Sequence, residues 1–297
     1  MFGIEDIYFA DLPKRYPIPY FSYSQLSTFL TCPHSFELTY MSGKFQSRGN
    51  KYTAMGSVLH EIFEKQGKQL IAEGEPFTIG KAYQKFNKDF MKVKDEHLEY
   101  FTDKDDFIKM YKKGIQALDN FYGVYSETAP LYVEKKFLGR IADDLPDAKS
   151  YIDRIDGDPN DASTWIITDY KSGGSAKSKE YLRTDFQLGL YATQVFALTG
   201  KYPQAVQFYH PVIDKYQTAI HQGDGVYKFQ GQRKPVVEFS VADTIIQIRK
   251  AVAGICEAVE SGNWKLVPDS WGCKMCFHFE DGGCKPFNKQ QQGWASI

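Results

Sequence analysis

Long apolar runs are missing from this sequence. No stretch approaches the ~18–20 uninterrupted apolar residues that a membrane-crossing helix needs. The first twenty residues, MFGIEDIYFADLPKRYPIPY, place acids and prolines early and lack the apolar core of a secretory signal, so the cytoplasm is the expected compartment. Neither sign of charge is in excess: 36 Lys and Arg face 37 Asp and Glu, for a formal net charge of −1. A nucleic-acid partner would therefore have to be met by locally concentrated positive charge, because phosphate contact is a surface property. Cysteine is scarce and odd in number, at Cys32, Cys256, Cys273, Cys276 and Cys284, which speaks against a disulfide framework. Internal repeats and low-complexity tracts are also absent.

What the chain does hold is 42% hydrophobic and 15% aromatic residues over 297 positions, enough to bury a large core as one elaborated domain or two small ones. Ser22-Tyr23-Ser24 precedes a helical pattern from Gln25 to about Met41, which Cys32-Pro33 should kink or break. A second helix is expected from about Ala54 to Ala72, and two or three more between Ile79 and Val124. Strand-like runs follow at Leu131 to Leu138, Ser150 to Asp156 and Thr164 to Lys171, the last two joined by the turn signal Gly157-Asp158-Pro159-Asn160-Asp161. A helix from about Thr184 to Leu198, strands at Ala205 to Val212 and Val236 to Phe239, and a long helix opened by Ser240 and Asp243 complete the pattern. Positive charge gathers twice. Lys81, Lys85, Lys88, Lys92 and Lys94 read as a solvated helix face; Lys177, Lys179 and Arg183 come directly after the most suggestive motif and are the candidate DNA contacts.

That motif is Asp169-Tyr170-Lys171, sixteen residues after Asp153. On a strand, residues two apart share a face, so Asp169 and Lys171 should point one way and Tyr170 the other. Ile152, Ile155, Ile166 and Ile167 surround the aspartates, which places both carboxylates at the ends of core-building strands. Two such carboxylates repel unless a cation lies between them, and Mg²⁺ or Mn²⁺ with oxygen ligands resolves that repulsion. A lysine two residues on can then orient water or steady charge on a phosphate. An isolated D-x-K also occurs in solvent-facing hairpins with surface ion pairs, so the neighbours decide.

The neighbours are Phe21-Ser22-Tyr23-Ser24-Gln25-Leu26, Thr31-Cys32-Pro33-His34-Ser35-Phe36, Gly56-Ser57-Val58-Leu59-His60, Ile152-Asp153-Arg154-Ile155-Asp156, Ile167-Thr168-Asp169-Tyr170-Lys171-Ser172-Gly173 and Gln187-Leu188-Gly189-Leu190-Tyr191. In this order and spacing the chain resembles the PD-(D/E)xK nucleases, specifically the RecB-like exonucleases that include the AddB nuclease domain and the CRISPR-associated adaptation exonucleases. The resemblance implies an α/β (α+β) fold with a restriction-endonuclease-like mixed sheet, flanking helices, a helical insertion and a C-terminal cysteine cluster. It implies one nuclease domain over 1–297, with an N-terminal helical segment (22–55), a helical region (56–128), a catalytic core (129–240) and a C-terminal helix with the cysteines (241–297). By resemblance His60, Asp153, Asp169 and the Tyr170 carbonyl are metal ligands and Lys171 is the catalytic lysine. Gln187 and Tyr191, one helical turn apart, border the site, and Glu134 is a candidate for its outer layer. Ser150 stands where the family has glycine.

Cys273-Lys274-Met275-Cys276, with Cys284 eight residues later, suits zinc or iron–sulfur by spacing alone. The resemblance supplies Cys32 as the fourth member of a structural [4Fe–4S] cluster; His278 nearby keeps zinc as the other reading, and Cys256 reads as a small core residue. The implied activity is metal-dependent exonuclease action on single-stranded DNA ends, with Tyr181 or Phe186 as stacking residues. The family serves recombination and repair, phage DNA metabolism and CRISPR adaptation in bacterial or phage-infected cells. A helicase or recombination partner would be another chain, and some relatives form oligomers. The competing reading is a non-catalytic iron–sulfur DNA-binding scaffold that kept the fold.

Overall fold

The structure, a computed structural model, describes residues 11–43, 49–268, 272–273, 276–280 and 283–285. A short helix α1 (Leu12–Arg15) and strand β1 (Tyr20–Phe21) lead into α2 (Tyr23–Thr31) and α3 (Pro33–Phe36), which runs on as a π-helical turn over Glu37–Met41. Three long helices follow, α4 (Lys51–Glu73), α5 (Ile79–Glu96) and α6 (Lys104–Tyr125), then strands β2 (Tyr132–Gly139), β3 (Asp147–Asp156) and β4 (Ile166–Tyr170). Helices α7 (Lys179–Thr184) and α8 (Gln187–Thr199) precede β5 (Ala205–His210), β6 (Lys215–Gly223), β7 (Val226–Phe229) and β8 (Glu238–Ser240). Helices α9 (Val241–Ser261) and α10 (Phe277–Glu280) complete the described chain. No described helix is long and apolar enough to cross a membrane. Within this order lie two compact units: Met1–Arg48 with Arg140–Lys149 and Ile246–Ile297, and Gly49–Gly139 with Ser150–Ile245.

In the first unit, Ser22 caps α2. Its hydroxyl accepts from the Gln25 N–H, and the Gln25 side chain accepts from the Ser22 N–H, so two otherwise orphaned donors are satisfied. The expected break falls at Cys32, which is extended (φ −159°, ψ 106°) because the proline ring after it disfavours helical backbone. Leu12, Phe21, Leu26, Phe36, Leu145, Ile248, Val252 and Ile255 are buried there, and β1 pairs in parallel with the start of β3 through Tyr20↔Asp147 and Phe21↔Ala148.

The second unit is a mixed sheet in the order β3-β4-β5-β6-β7-β8, with β2 also paired to β3. Strands β3 and β4 form the expected antiparallel hairpin, whereas β4 and β5 are parallel and need α8 as their crossover. Period-two alternation feeds two cores, one on each face. Ile155, Ile167, Val206 and Phe208 join Leu188, Tyr191 and Val195 of α8; Tyr170 and Tyr209 pack with Leu59, Ile62 and Phe63 of α4 and with Leu118 and Phe121 of α6. This is the mixed α/β sheet flanked by helices that the sequence predicts. Strands β6 and β7 were not expected. The side chains of β6 are largely polar and β7 is only four residues long, and their hairpin turns at Asp224 (φ 48°) and Gly225 (φ 72°), both left-handed as a tight hairpin turn requires.

Candidate metal centre and cysteine cavity

The ladder between β3 and β4 runs Asp156↔Ile166, Ile155↔Ile167, Arg154↔Thr168 and ends there. One residue further along each strand stand Asp153 and Asp169, so the two carboxylates occupy the mouth where the strands stop pairing. Asp153 uses this gap: its Oδ2 accepts from the Tyr170 N–H at 2.5 Å. On the other edge of β4 the Lys171 N–H still donates to the Tyr209 carbonyl at 2.8 Å, which keeps the Asp-x-Lys segment straight. As expected for a strand, Tyr170 turns into the aromatic core with Phe63, Phe121 and Tyr125, while Asp169 and Lys171 face the α8 side.

Helix α8 supplies a rigid frame for that side. Gln187 Nε2 donates to Asp169 Oδ1 at 2.9 Å, its Oε1 accepts from Lys171 Nζ at 2.8 Å, and the Tyr191 hydroxyl donates to Asp169 Oδ1 at 2.9 Å. The helical spacing of Gln187 and Tyr191 makes this double grip available from one face. Helix α4 brings His60, whose Nδ1 lies 3.4 Å from Asp153 Oδ1 and whose Nε2 lies 3.2 Å from the Tyr170 carbonyl oxygen. Gly56, one turn earlier, lets α4 approach closely: a Cβ there would meet Ser172 Oγ at 2.8 Å.

Glu134 joins the group more intimately than the sequence indicates. It adopts φ 46° within β2, a left-handed backbone that is costly for a non-glycine residue and is found where a side chain is aimed at a site. Ligand atoms of His60, Glu134 and Asp153 all lie within 4.8 Å of one another. Nothing in the order of residues around Glu134 foretells that backbone; the signal available was only an acid in the run Leu131-Tyr132-Val133-Glu134.

The electrostatics describe a site short of positive charge. Burial, then the Asp153 charge, pushes the Glu134 carboxyl up to about 7. Burial also raises Asp169, a trend that Lys171 opposes and Asp153 reinforces. For His60, burial alone would lower the pKa, but the Asp153 carboxylate overrides it and raises the ring to about 9. Lys171 is likewise held protonated against burial by Asp169, whose Oδ2 is 2.7 Å from its Nζ. That ion pair is the one partner found for the buried Asp169 Oδ2 among the described residues. The His–Glu–Asp cluster, with its two acids half-buried near the buried Asp169, fits a hard divalent cation with mixed oxygen and imidazole ligands.

The three basic candidates separate. Lys179 donates to the carbonyls of Arg233 and Pro235 and so ties α7 to that loop. Arg183 is exposed and pairs with Glu180 at 3.6 Å. Lys177 lies near Lys171, Asp169 and Asp185, and burial followed by the Lys171 charge lowers its pKa. Phe186 is buried in the core, so it offers no stacking surface, whereas the ring of Tyr181 lies 4.2 Å under the Lys177 ammonium. In the α5 run, Lys85 pairs with Glu61 and Asp89 as a solvated helix face does. Ser150 is buried with an unpartnered hydroxyl.

Cys32, Cys273, Cys276 and Cys284 all line one cavity of about 580 Å³ in the first unit, with His34 and His278 at its wall. Lys274 and Met275 lie outside the described residues. Burial and the three neighbouring thiols push Cys284 up to about 11. His278 Nε2 is 2.8 Å from Thr39 Oγ1, and Cys256 is buried in α9. Four thiols converging from residues 32 and 273–284 form a donor set suited to a soft metal centre.

A mixed sheet whose hairpin end carries paired aspartates, a strand-borne lysine and a helix-borne histidine defines a class. The sequence pattern of the PD-(D/E)XK nuclease superfamily matches residues 20–278, and the chain belongs to that superfamily. Among solved structures, the chain is similar to one from Eubacterium rectale named "Putative exonuclease". That match has 13% identity and a TM-score of 0.49, and it covers 100% of this chain and 99% of the other. No curated protein matches the sequence.

Proposed function

We propose that this nuclease is a Mg²⁺- or Mn²⁺-dependent, RecB-like DNA exonuclease acting on single-stranded ends, with a structural [4Fe–4S] cluster at its four clustered cysteines. The observation that carries the catalytic part is the meeting of His60, Glu134 and Asp153 within 4.8 Å of one another, near the Asp169–Lys171 ion pair. His60, Glu134, Asp153, Asp169 and the Tyr170 carbonyl would hold the cation. When bound, it supplies charge neutralisation at the phosphate and lowers the pKa of a bound water. Everything else is the chain's own work. Lys171, kept as an ammonium by Asp169 and aimed by Gln187, orients the attacking water or donates to a phosphate oxygen. Gln187 and Tyr191 hold Asp169 in one rotamer, so the carboxylate needs no reorganisation during the reaction.

For the cluster, the supporting observation is one cavity lined by four thiols drawn from both ends of the sequence. Cleavage of end-labelled single-stranded DNA with Mg²⁺ or Mn²⁺, beside Asp169→Ala and Lys171→Ala, tests the catalytic reading. Both variants are expected to lose at least ~10²-fold in rate, and equal activity in all three proteins would end it. Brown protein with iron after anaerobic purification is expected for the cluster; colourless protein with stoichiometric zinc would replace that part with a zinc staple.

A further inference from the structure

Beyond the catalytic group lies a row of residues that no catalytic role uses. Asp169 pairs across the sheet with Phe208, and Phe208 with Gln217, so these three side chains share one face in one row. Two strand spacings put Gln217 about 10 Å from Asp169. The Lys171 ammonium lies over the Phe208 ring at 5.1 Å, between the two.

Gln217 spends its whole amide on one residue of the loop between β4 and α7. Its Oε1 accepts from the Lys177 N–H at 2.8 Å, and its Nε2 donates to the Lys177 carbonyl at 2.9 Å. The N–H and carbonyl of Lys177 fix which way round the amide sits, and the buried His210 donates from Nε2 to the same Oε1 at 2.9 Å. A flipped amide would set donor against donor at the Lys177 N–H and acceptor against acceptor at its carbonyl. The loop before this point contains the exposed pair Gly173-Gly174, which gives it little stiffness of its own. One lysine in it is nevertheless held by both main-chain groups, with its ammonium resting on the Tyr181 ring. Surface lysines that serve solubility are not anchored in this way.

We infer that Lys177 is a second, pre-positioned cation that takes a phosphate of the DNA strand other than the one being cut, and that Gln217 and His210 are its positioning residues. This rests on the nuclease reading and deepens it: the substrate is a polyanionic strand reaching at least one phosphate past the reacting one. Anchoring the main chain lowers the ordering cost when the strand arrives.

The test is binding of fluorescein-labelled oligo-dT to the full chain, with Ca²⁺ in place of a catalytic cation, over a range of salt concentrations. Losing one phosphate contact on a single strand should reduce the salt exponent by about 0.7. Lys177→Gln should show that reduction with about ten-fold weaker binding, and Lys177→Arg should restore most of it. Gln217→Leu should match Lys177→Gln, and the double variant should be no worse than either. Gln217→Glu, which keeps the acceptor and loses the donor, carries the same expectation if the leucine variant does not fold. With Mg²⁺, both changes should raise KM more than they lower kcat. A wild-type salt exponent in Lys177→Gln, with wild-type protein binding and cutting normally, would overturn this inference alone. Wild-type protein that neither binds nor cuts would overturn the nuclease reading beneath it.

Discussion

At the scale of single residues, the site is built by giving each polar group one job. Asp153 accepts from a main-chain N–H, Asp169 is gripped by two side chains of α8, and Lys171 lies between Asp169 and Gln187. Ser150 has no such job. Its hydroxyl is buried without a partner. Ser150→Ala removes an unsatisfied donor whose burial costs about 1 kcal/mol or more, so thermal unfolding should shift upward by a few degrees with cleavage unchanged. A lower melting temperature would show that the hydroxyl has a use after all. Of the proposed catalytic set, His60, Asp153, Asp169, Lys171, Gln187 and Tyr191 were legible as a pattern of residue types. Glu134 was legible only as an outer-layer candidate; its place beside His60 and Asp153 goes with a left-handed backbone at one position of β2.

At the scale of elements, α4 and β4 must come close enough for an imidazole to reach the Tyr170 carbonyl. Gly56 permits this by presenting no side chain to Ser172. Gly56→Ala gains about 1 kcal/mol of helix propensity and places a methyl 2.8 Å from Ser172 Oγ, so the serine must rotate or the helix must shift. The expected outcome is a stable protein whose kcat falls about ten-fold, for a lost alignment of some 1.4 kcal/mol. Substituting Ser172→Ala as well should recover most of the rate. Unchanged kcat in the single variant would mean that the gap is not used. The helices and first strands were readable from periodicity and turn residues. Strands β6 and β7 were not, since β6 is mostly polar and β7 is only four residues long, and with them the Gln217–Lys177 clamp stayed hidden.

At the scale of the whole molecule, the proposed cation should couple to folding, because His60, Glu134 and Asp153 come together only in the folded chain. Added Mn²⁺ should raise the melting temperature, and Asp153→Asn should abolish the rise. The effect should also depend on pH. The Glu134 carboxyl, raised to about 7, is neutral below that value, and His60, raised to about 9, is cationic below its own. Both must give up protons to bind a metal, so the Mn²⁺-induced shift should shrink as pH falls from about 8 to about 6. A shift that grows on acidification would contradict this ligand set.

The sequence by itself determined the residue types and their order: the Asp-x-Lys strand, the helix-borne histidine, the Gln–Tyr turn and the four clustered cysteines. These follow from local rules, since strand and helix periods dictate which residues share a face. Only the tertiary structure decided that Glu134 comes within reach of His60 and Asp153, that Lys179 is tied to a loop and that Lys177 is clamped by Gln217. Each of these depends on strand pairing between distant segments or on one unusual backbone angle, and neither leaves a local pattern in the chain.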